Sequence, residues 1–360
     1  MICSVTLWGN KSSTGFLMPE KLWNSLPKST EVATLENISK KALKASLTSV
    51  VDKPQTPPSG DKHDYLSIAP YFWPDPYKPG GIPWIRKDGQ INPDYYTYDR
   101  KRMAAMSDNA TKLIIGFQTT GKQRYAEHAG TIIRHWFINP ASRMNPNLNY
   151  AQFIPGRCEG RGIGIIDTAS LIFFVDAVYH LPFNKNWTPD DLAALRKWFS
   201  DYLDWLLTSP NGIKECHQHN NHGSWYDAQI VAYAVFCGRS EIAKRQIDQY
   251  TRKRVPKHIA KDGSQPHELA RTLSLNYSCY NLLALMVVAN FAKRLNVNFK
   301  DCELRIRKAH EYLKPYFVKP ETWKYKQIKP WSRKSIMRID ALSDENASGW
   351  QYFIFNDTSH

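Results

Sequence analysis

No two of the six cysteines (Cys3, Cys158, Cys216, Cys237, Cys279 and Cys302) form a C-x-x-C pair. That scatter argues against a structural zinc site and a dense disulfide framework, and leaves only one or two bridges open. No run of about eighteen apolar residues is present, which argues against a membrane span. Residues 1–16 lack a charged start followed by an apolar core, so they do not read as a signal peptide. No helix–turn–helix, zinc-finger or RNA-binding signature occurs. Neither strand-like alternation nor a repeat of fixed period stands out, which argues against the solenoid families.

Aromatic residues and positive charge are plentiful. The chain has 12 tryptophans, 19 tyrosines and a formal net charge of +15. Such a charge suits a polyanionic partner: nucleic acid, acidic polysaccharide or an anionic membrane. The missing nucleic-acid motifs lower the first. At 360 residues the chain reads as one domain. Residues 1–60 would form an extension with a first helix over 35–51, 61–317 the core with its cleft, and 318–360 a basic segment.

Residues 52–98 are rich in proline, glycine and aromatics, notably from Asp64 through Tyr65, Tyr71 and Trp73 to Pro76. Proline at that density prevents helix, and so aromatic a loop should lie across a cleft. From Asp99 the pattern is helix after helix, over 99–119, 123–138, 164–181, 188–209, 222–238, 240–256, 274–296 and 300–316. Thr188-Pro189-Asp190-Asp191 is a helix start, with a capping threonine and proline at the first position. Helices of similar length joined by short turns predict an all-α protein, an (α/α) toroid of helical hairpins.

The densest chemistry lies in His217-Gln218-His219-Asn220-Asn221-His222-Gly223-Ser224-Trp225-Tyr226-Asp227. Asn220 or Asn221 suits the N-cap of the helix that follows. The positive end of that helix predicts a carboxylate-bearing ligand there. A second stretch, Gln152 to Thr168, holds Arg157, Arg161 and four glycines. Its glycines predict close approach of backbone to ligand, and its arginines can grip carboxylates. No strand precedes it, so it is not a dinucleotide fingerprint. A third runs from His267 through Glu268 and Arg271 to Tyr277 and Tyr280, which share a helix face. The tail over 319–338 is basic, with Trp323, Tyr325 and Trp331 interleaved. It reads as a solvated surface or as a rim gripping a polyanion.

Asn221, His222, Arg271 and Tyr277 form a coherent set for β-elimination of a uronate. An amide, an imidazole and a guanidinium can neutralise the carboxylate and stabilise the enolate-like intermediate. A tyrosine can remove the C5 proton and protonate the departing O4. Its ordinary pKa of about 10 makes ionisation at neutral pH cost roughly 4 kcal/mol. Nearby cations reduce that cost.

The Tyr65-to-Pro76 segment, the Gln152-to-Asp167 loop, Asn220-Asn221-His222-Gly223-Ser224-Trp225, and Glu268-Leu269-Ala270-Arg271 followed by Tyr277 together resemble the alginate lyase family of polysaccharide lyases, over about residues 60–315. The resemblance implies an (α/α) toroid, a polyuronate substrate, no cofactor or metal, and a periplasmic or secreted address. By motif position Asn221 and His222 look like the carboxylate-neutralising pair, Arg271 like the active-site arginine and Tyr277 like the catalytic tyrosine. Substrate contacts are then expected from Tyr65, Tyr71, Trp73, Arg157, Arg161, Asn220, Trp225, His267, Tyr280 and Trp331. A monomer is expected, with no nucleic-acid or membrane partner. Two departures stand out. Mannuronate-specific members have Ser-Tyr-Trp after Asn-Asn-His, where Gly223-Ser224-Trp225 stands here, and their arginine-to-tyrosine interval is one residue longer, which makes Tyr280 a rival of Tyr277. Both point to a relative acting on another polyuronate. Mannuronate and glucuronate share their arrangement at C4 and C5, so one tyrosine could serve either by syn elimination.

Three other readings compete. A glycoside hydrolase would need two carboxylates, from among Glu159, Asp167, Asp227 and Glu268. A non-catalytic polyanion-binding protein would explain charge and aromatics. A metal enzyme would use His217, His219 and His222.

Overall fold

Most helix boundaries fall at the punctuation read from the sequence. The computed structural model describes Leu17 and residues 20–28, 31–331 and 334–343. Cys3 and residues 1–16, read above for an export signal, lie outside the described residues, as do residues 344–360 of the basic segment. The helices are α1 (Glu20–Ser25), α2 (Val32–Leu43), α3 (Asp99–Thr120), α4 (Gln123–Phe137), α5 (Leu171–Val178), α6 (Pro189–Thr208), α7 (Pro210–Cys216), α8 (Asn221–Phe236), α9 (Ser240–Gln246), α10 (Arg252–His258), α11 (Pro266–Leu269), α12 (Ser274–Arg294), α13 (Lys300–Val318) and α14 (Lys334–Ser343). α3 packs on α2 and α4, α8 on α6, α9 and α12, and α12 on α13 and α14. This is an α/α toroid.

Several boundaries differ from expectation for local reasons. α6 starts as read: Thr188 and Asp191 form a capping box with proline next to the cap. The predicted helix over 164–181 is a 3₁₀ stretch, Gly162–Thr168, followed by α5. The helix predicted over 35–51 is α2, which ends at Leu43, and 50–52 is a separate 3₁₀ turn capped by Ser49. The helix over 240–256 carries a π-turn, Ile247–Thr251, between α9 and α10.

Two short strand pairs, unforeseen from the sequence, shape the cleft. β1 (Leu66–Ile68) runs parallel to β4 (Tyr150–Phe153), and β2 (Phe72–Trp73) pairs antiparallel with β3 (Ile85–Arg86). β1 is tied to the start of α3 by Asp99 Oδ2, which accepts from Leu66 N at 2.9 Å and pairs with the buried Lys53 ammonium at 3.0 Å.

The core is aromatic. Phe137, Trp198, Phe199, Tyr202 and Tyr233 pack in one cluster of tilted and edge-on rings, and burying each such ring contributes roughly 1.5–3 kcal/mol. α12 is long and apolar enough to cross a membrane, but 78% of its most apolar window is buried inside the protein. It is a core helix. Among the described residues the five cysteines are unpaired.

Candidate active site

A cavity of about 390 Å³ opens between residues 70–72, the 152–167 loop, and the starts of α8 and α12. Asn221, His222, Arg271, Tyr277 and Tyr280 all line it.

At the start of α8, Asn220 is the N-cap and its side chain accepts from His222 N at 3.2 Å. Asn221 is fully buried, and donates from its backbone N (2.6 Å) and from Nδ2 (2.8 Å) to Glu268. The helix terminus therefore does attract a carboxylate, but it is the protein's own. Burial pushes the Glu268 carboxyl above the usual glutamate range, and the Asn221 bonds offset part of that rise. His222 Nδ1 lies 2.7 Å from Oε1 of the buried Glu215. That contact fixes the ring and leaves Nε2 as its free nitrogen. His217 Nδ1 instead meets Ile213 O at 2.7 Å, and the His219 ring lies 5.1 Å from that of His267. The three histidines of this stretch thus face different partners. No group of three potential metal ligands occurs among the described residues.

Gly223 has a packing reason. A Cβ there would lie 2.1 Å from Arg254 Nη1. That guanidinium holds the buried Asp227 at 2.8 Å and the carbonyls of Cys216 and Gln218 at 2.6 and 2.7 Å. Gly223 thus leaves room for an internal ion pair.

At the start of α12, the Arg271 guanidinium sits 3.9 Å from the centre of the Tyr277 ring. Asp88 receives Arg271 Nη2 at 3.0 Å and the Thr272 hydroxyl at 2.9 Å. Against the upward push of burial, Arg271, Thr272 and Arg86 hold Asp88 down at about 2. The Tyr277 and Tyr71 hydroxyls are 2.7 Å apart. Burial pushes the Tyr277 phenol well above its usual range; Tyr71 adds to the rise and Arg271 opposes it. Tyr280 also lines the cavity, but its ring packs on Trp225 at 4.6 Å.

The remaining wall is a polar network. Asp167 accepts from Tyr65 (3.0 Å), Ser67 (2.6 Å) and Gln152 Nε2 (3.0 Å), and the Arg100 guanidinium lies 3.9 Å away. Arg161 donates to Gln152 Oε1 at 2.9 Å. Gln152 takes a left-handed backbone, φ 50°, a strained choice for a residue with a side chain. The loop's glycines approach the protein's own backbone: a Cβ on Gly164 would lie 2.6 Å from the Ala151 carbonyl oxygen. The close approaches are to the protein itself: Gly160 and Gly164 meet the 149–151 segment, Gly156 meets Ile82 and Pro83, and Gly162 meets Asn211 of α7.

The alginate lyase family model matches residues 49–323. The chain belongs to the alginate lyase family. An alginate lyase from Bacteroides ovatus shares 35% sequence identity with it at a TM-score of 0.86, over 96% of this chain and 97% of that one. Alginate lyase A1-III from Sphingomonas species A1 shares 18% identity at a TM-score of 0.50, over 89% and 87%. A variant of A1-III complexed with a tetrasaccharide shares 17% at 0.51, over 91% and 86%. The two A1-III matches show the fold alone. No curated protein sequence matches the chain. Family membership makes this protein a polysaccharide lyase.

Against that membership, the expected contacts of this alginate lyase-family chain divide in two. Tyr71, Arg161, Asn220 and Tyr280 line the cavity with the four catalytic candidates. Tyr65 and Trp225 do not reach it: they are 0% and 1% exposed and serve as core, Tyr65 beneath Asp167 and Trp225 against Phe173 and Tyr280. Trp73, Arg157, His267 and Trp331 lie outside the lining. Trp73 carries Lys87 over its ring, Arg157 donates to Trp84 O, and Trp331 stacks on Phe317. Arg86 and Arg100 line the cavity without having been foreseen, and Asp88 and Glu215 orient Arg271 and His222 from behind. Lys87-Asp88-Gly89 reads only as a turn, and nothing near Arg100 or Glu215 marks them in sequence.

Proposed function

We propose that this protein cleaves a polyuronate, the poly-mannuronate of alginate or glucuronan, by metal-independent syn β-elimination. The observation that carries this reading is the Tyr277 phenol, flanked by the Tyr71 hydroxyl and the Arg271 guanidinium in the cavity that holds Asn221 and His222. His222 Nε2, left free by the Glu215 contact, and Arg271 Nη1, uncommitted to Asp88, are suited to the substrate carboxylate, with Asn221 beside them. Charge drawn off the carboxylate stabilises the enolate-like intermediate. Tyr277 as phenolate takes the C5 proton, the C4–C5 double bond forms, and the C4–O4 bond breaks. The phenol then returns its proton to O4. The product end is a 4,5-unsaturated uronate.

Burial holds Tyr277 protonated at rest, so its proton must leave first. Arg271 over the ring stabilises the phenolate and reduces that cost. A hydrolase is less well supported. Asp167 is the lone acid among the lining residues, and its oxygens already accept from Tyr65, Ser67 and Gln152. Asp227 is paired with Arg254, Glu268 with Asn221, and Glu159 is exposed outside the cavity. A periplasmic or secreted address goes with a polyuronate substrate. The test is absorbance of the unsaturated uronate after incubation with poly-mannuronate, poly-guluronate, glucuronan and hyaluronan. Reducing ends released without that absorbance would mean hydrolysis, and binding without cleavage would mean a non-catalytic role.

A further inference from the structure

The basic tail does not line the cavity, yet it borders it. Residues 326–328 are bonded along the start of α12. Ser274 N donates to Lys326 O (3.0 Å), Ile328 N to Thr272 O (3.0 Å), and Leu275 N to Gln327 Oε1 (3.1 Å). Thr272 is the junction: its carbonyl accepts from Ile328 N of the tail, and its hydroxyl donates to Asp88 of the 71–92 stretch. The next residue back is Arg271. Tail and hairpin thus meet beside the proposed catalytic arginine.

Both carry exposed cations at this junction. Lys324, Lys326 and Lys329 are exposed and have no ion pair among the described residues. Lys87 is exposed over the Trp73 ring at 5.2 Å, and its neighbour Arg86 lines the cavity. Tyr325, 42% exposed, stands between two of the lysines. Clustered like charges repel one another and destabilise a fold unless an anion answers them. Here hydrogen bonds hold the backbone beneath them, so the cations keep their place.

We propose that Arg86, Lys87, Lys324, Lys326 and Lys329 form an outer track that binds the non-reacting part of the polyuronate chain as it leaves the cavity, with Tyr325 offering a ring to a sugar face. The proposal rests on the polyuronate reading above. A chain with a carboxylate on every sugar matches a strip of separate cations, and a long polymer overruns a cavity of about 390 Å³. The track therefore makes affinity grow with chain length, and leaves the chemistry of the bond in the cavity untouched.

The test is Lys324→Ala/Lys326→Ala/Lys329→Ala against wild type, on the polyuronate that wild type cleaves, as long polymer and as tetrasaccharide. For the polymer at low salt, KM should rise about five- to tenfold, the scale of three exposed attractions. The variant's KM should also depend less on salt. On the tetrasaccharide, kcat and KM should stay within about twofold. A polymer KM within about twofold of wild type overturns the track, as does an equal rise on both substrates. If wild type releases no unsaturated product from any polyuronate, the functional reading fails by itself. Retention on immobilised poly-mannuronate then decides the track: weaker retention of the variant supports it, and equal retention overturns it.

Discussion

The phenol oxygens of Tyr71 and Tyr277 lie 2.7 Å apart although 206 residues separate them in sequence. The contact supports the proposal that Tyr277, of the two tyrosines of α12, is the acid–base. Tyr277 has a hydroxyl partner and a guanidinium over its ring, whereas Tyr280 leans on Trp225. Tyr277→Phe should lower kcat by about two orders of magnitude or more, the range for a lost general acid–base, with little change in KM. Tyr71→Phe removes one hydrogen bond that positions the reacting phenol, worth about 0.5–1.5 kcal/mol, but also a neighbour that raises its pKa, so kcat should change by less than tenfold. Tyr280→Phe should remain near wild type. Loss of activity in Tyr280→Phe with Tyr277→Phe intact would move the role one turn along the helix.

Activity should climb with pH. Burial raises the Tyr277 phenol well above its usual range, so the phenolate is scarce at neutral pH. Its fraction grows about tenfold per pH unit below that pKa. The sign is therefore a kcat/KM that rises toward alkaline pH and does not level off near neutrality. A plateau beginning by about pH 7 would count against a phenolate base in the free enzyme.

The four catalytic candidates were legible because reactive side chains of unlike kinds crowd two short stretches, 217–227 and 267–280, more densely than capping or packing requires. The helices were legible because Thr188, Asn220 and the glycine turns carry their boundaries locally. What was not legible depends on distance along the chain. Asp88 reaches Arg271 across 183 residues, and Tyr65 reaches Asp167 across 102. An aromatic residue serves equally as core or as sugar platform, and only packing decides; Tyr65 and Trp225 went to the core. The glycines of the 152–168 loop are ambiguous for the same reason. Glycine announces a close approach without saying to what.

Gly223 offers a test of what sets substrate preference. Gly223→Ser introduces the residue that the family resemblance associates with mannuronate-specific members, but its Cβ would lie 2.1 Å from Arg254 Nη1 and 2.4 Å from Gln218 O. Overpacking of this kind costs about 1–3 kcal/mol. Chemical denaturation should show that loss, while the ranking of poly-mannuronate against glucuronan stays unchanged in the folded variant. A reversed ranking would mean that position 223 acts on the substrate and not on Arg254.

Glu268 holds Asn221 from behind, and its removal should expose that role. Its two oxygens accept the backbone N–H and the Nδ2 of Asn221 at 2.6 and 2.8 Å. In Glu268→Gln, one of those oxygens becomes an NH₂ group. If it faces Nδ2, two donors oppose each other and the Asn221 amide must turn over; if it faces the backbone N–H, that donor is left unpaired. Either way a bond to a buried charge is lost, worth about 1.5–3 kcal/mol, so kcat/KM should fall about 10- to 100-fold. The pH profile separates orientation from simple unfolding. Burial raises the Glu268 carboxyl above the usual glutamate range. As pH falls through that raised value the group takes a proton, one oxygen ceases to accept, and Asn221 loosens. Wild type should therefore lose activity in acid above the ordinary glutamate range. Glu268→Gln has no proton to take at this position, so its weaker activity should fall less steeply across the same interval, with an unchanged circular-dichroism spectrum. Parallel acid limbs in the two proteins would assign the acid loss to another group and leave Glu268 a packing residue.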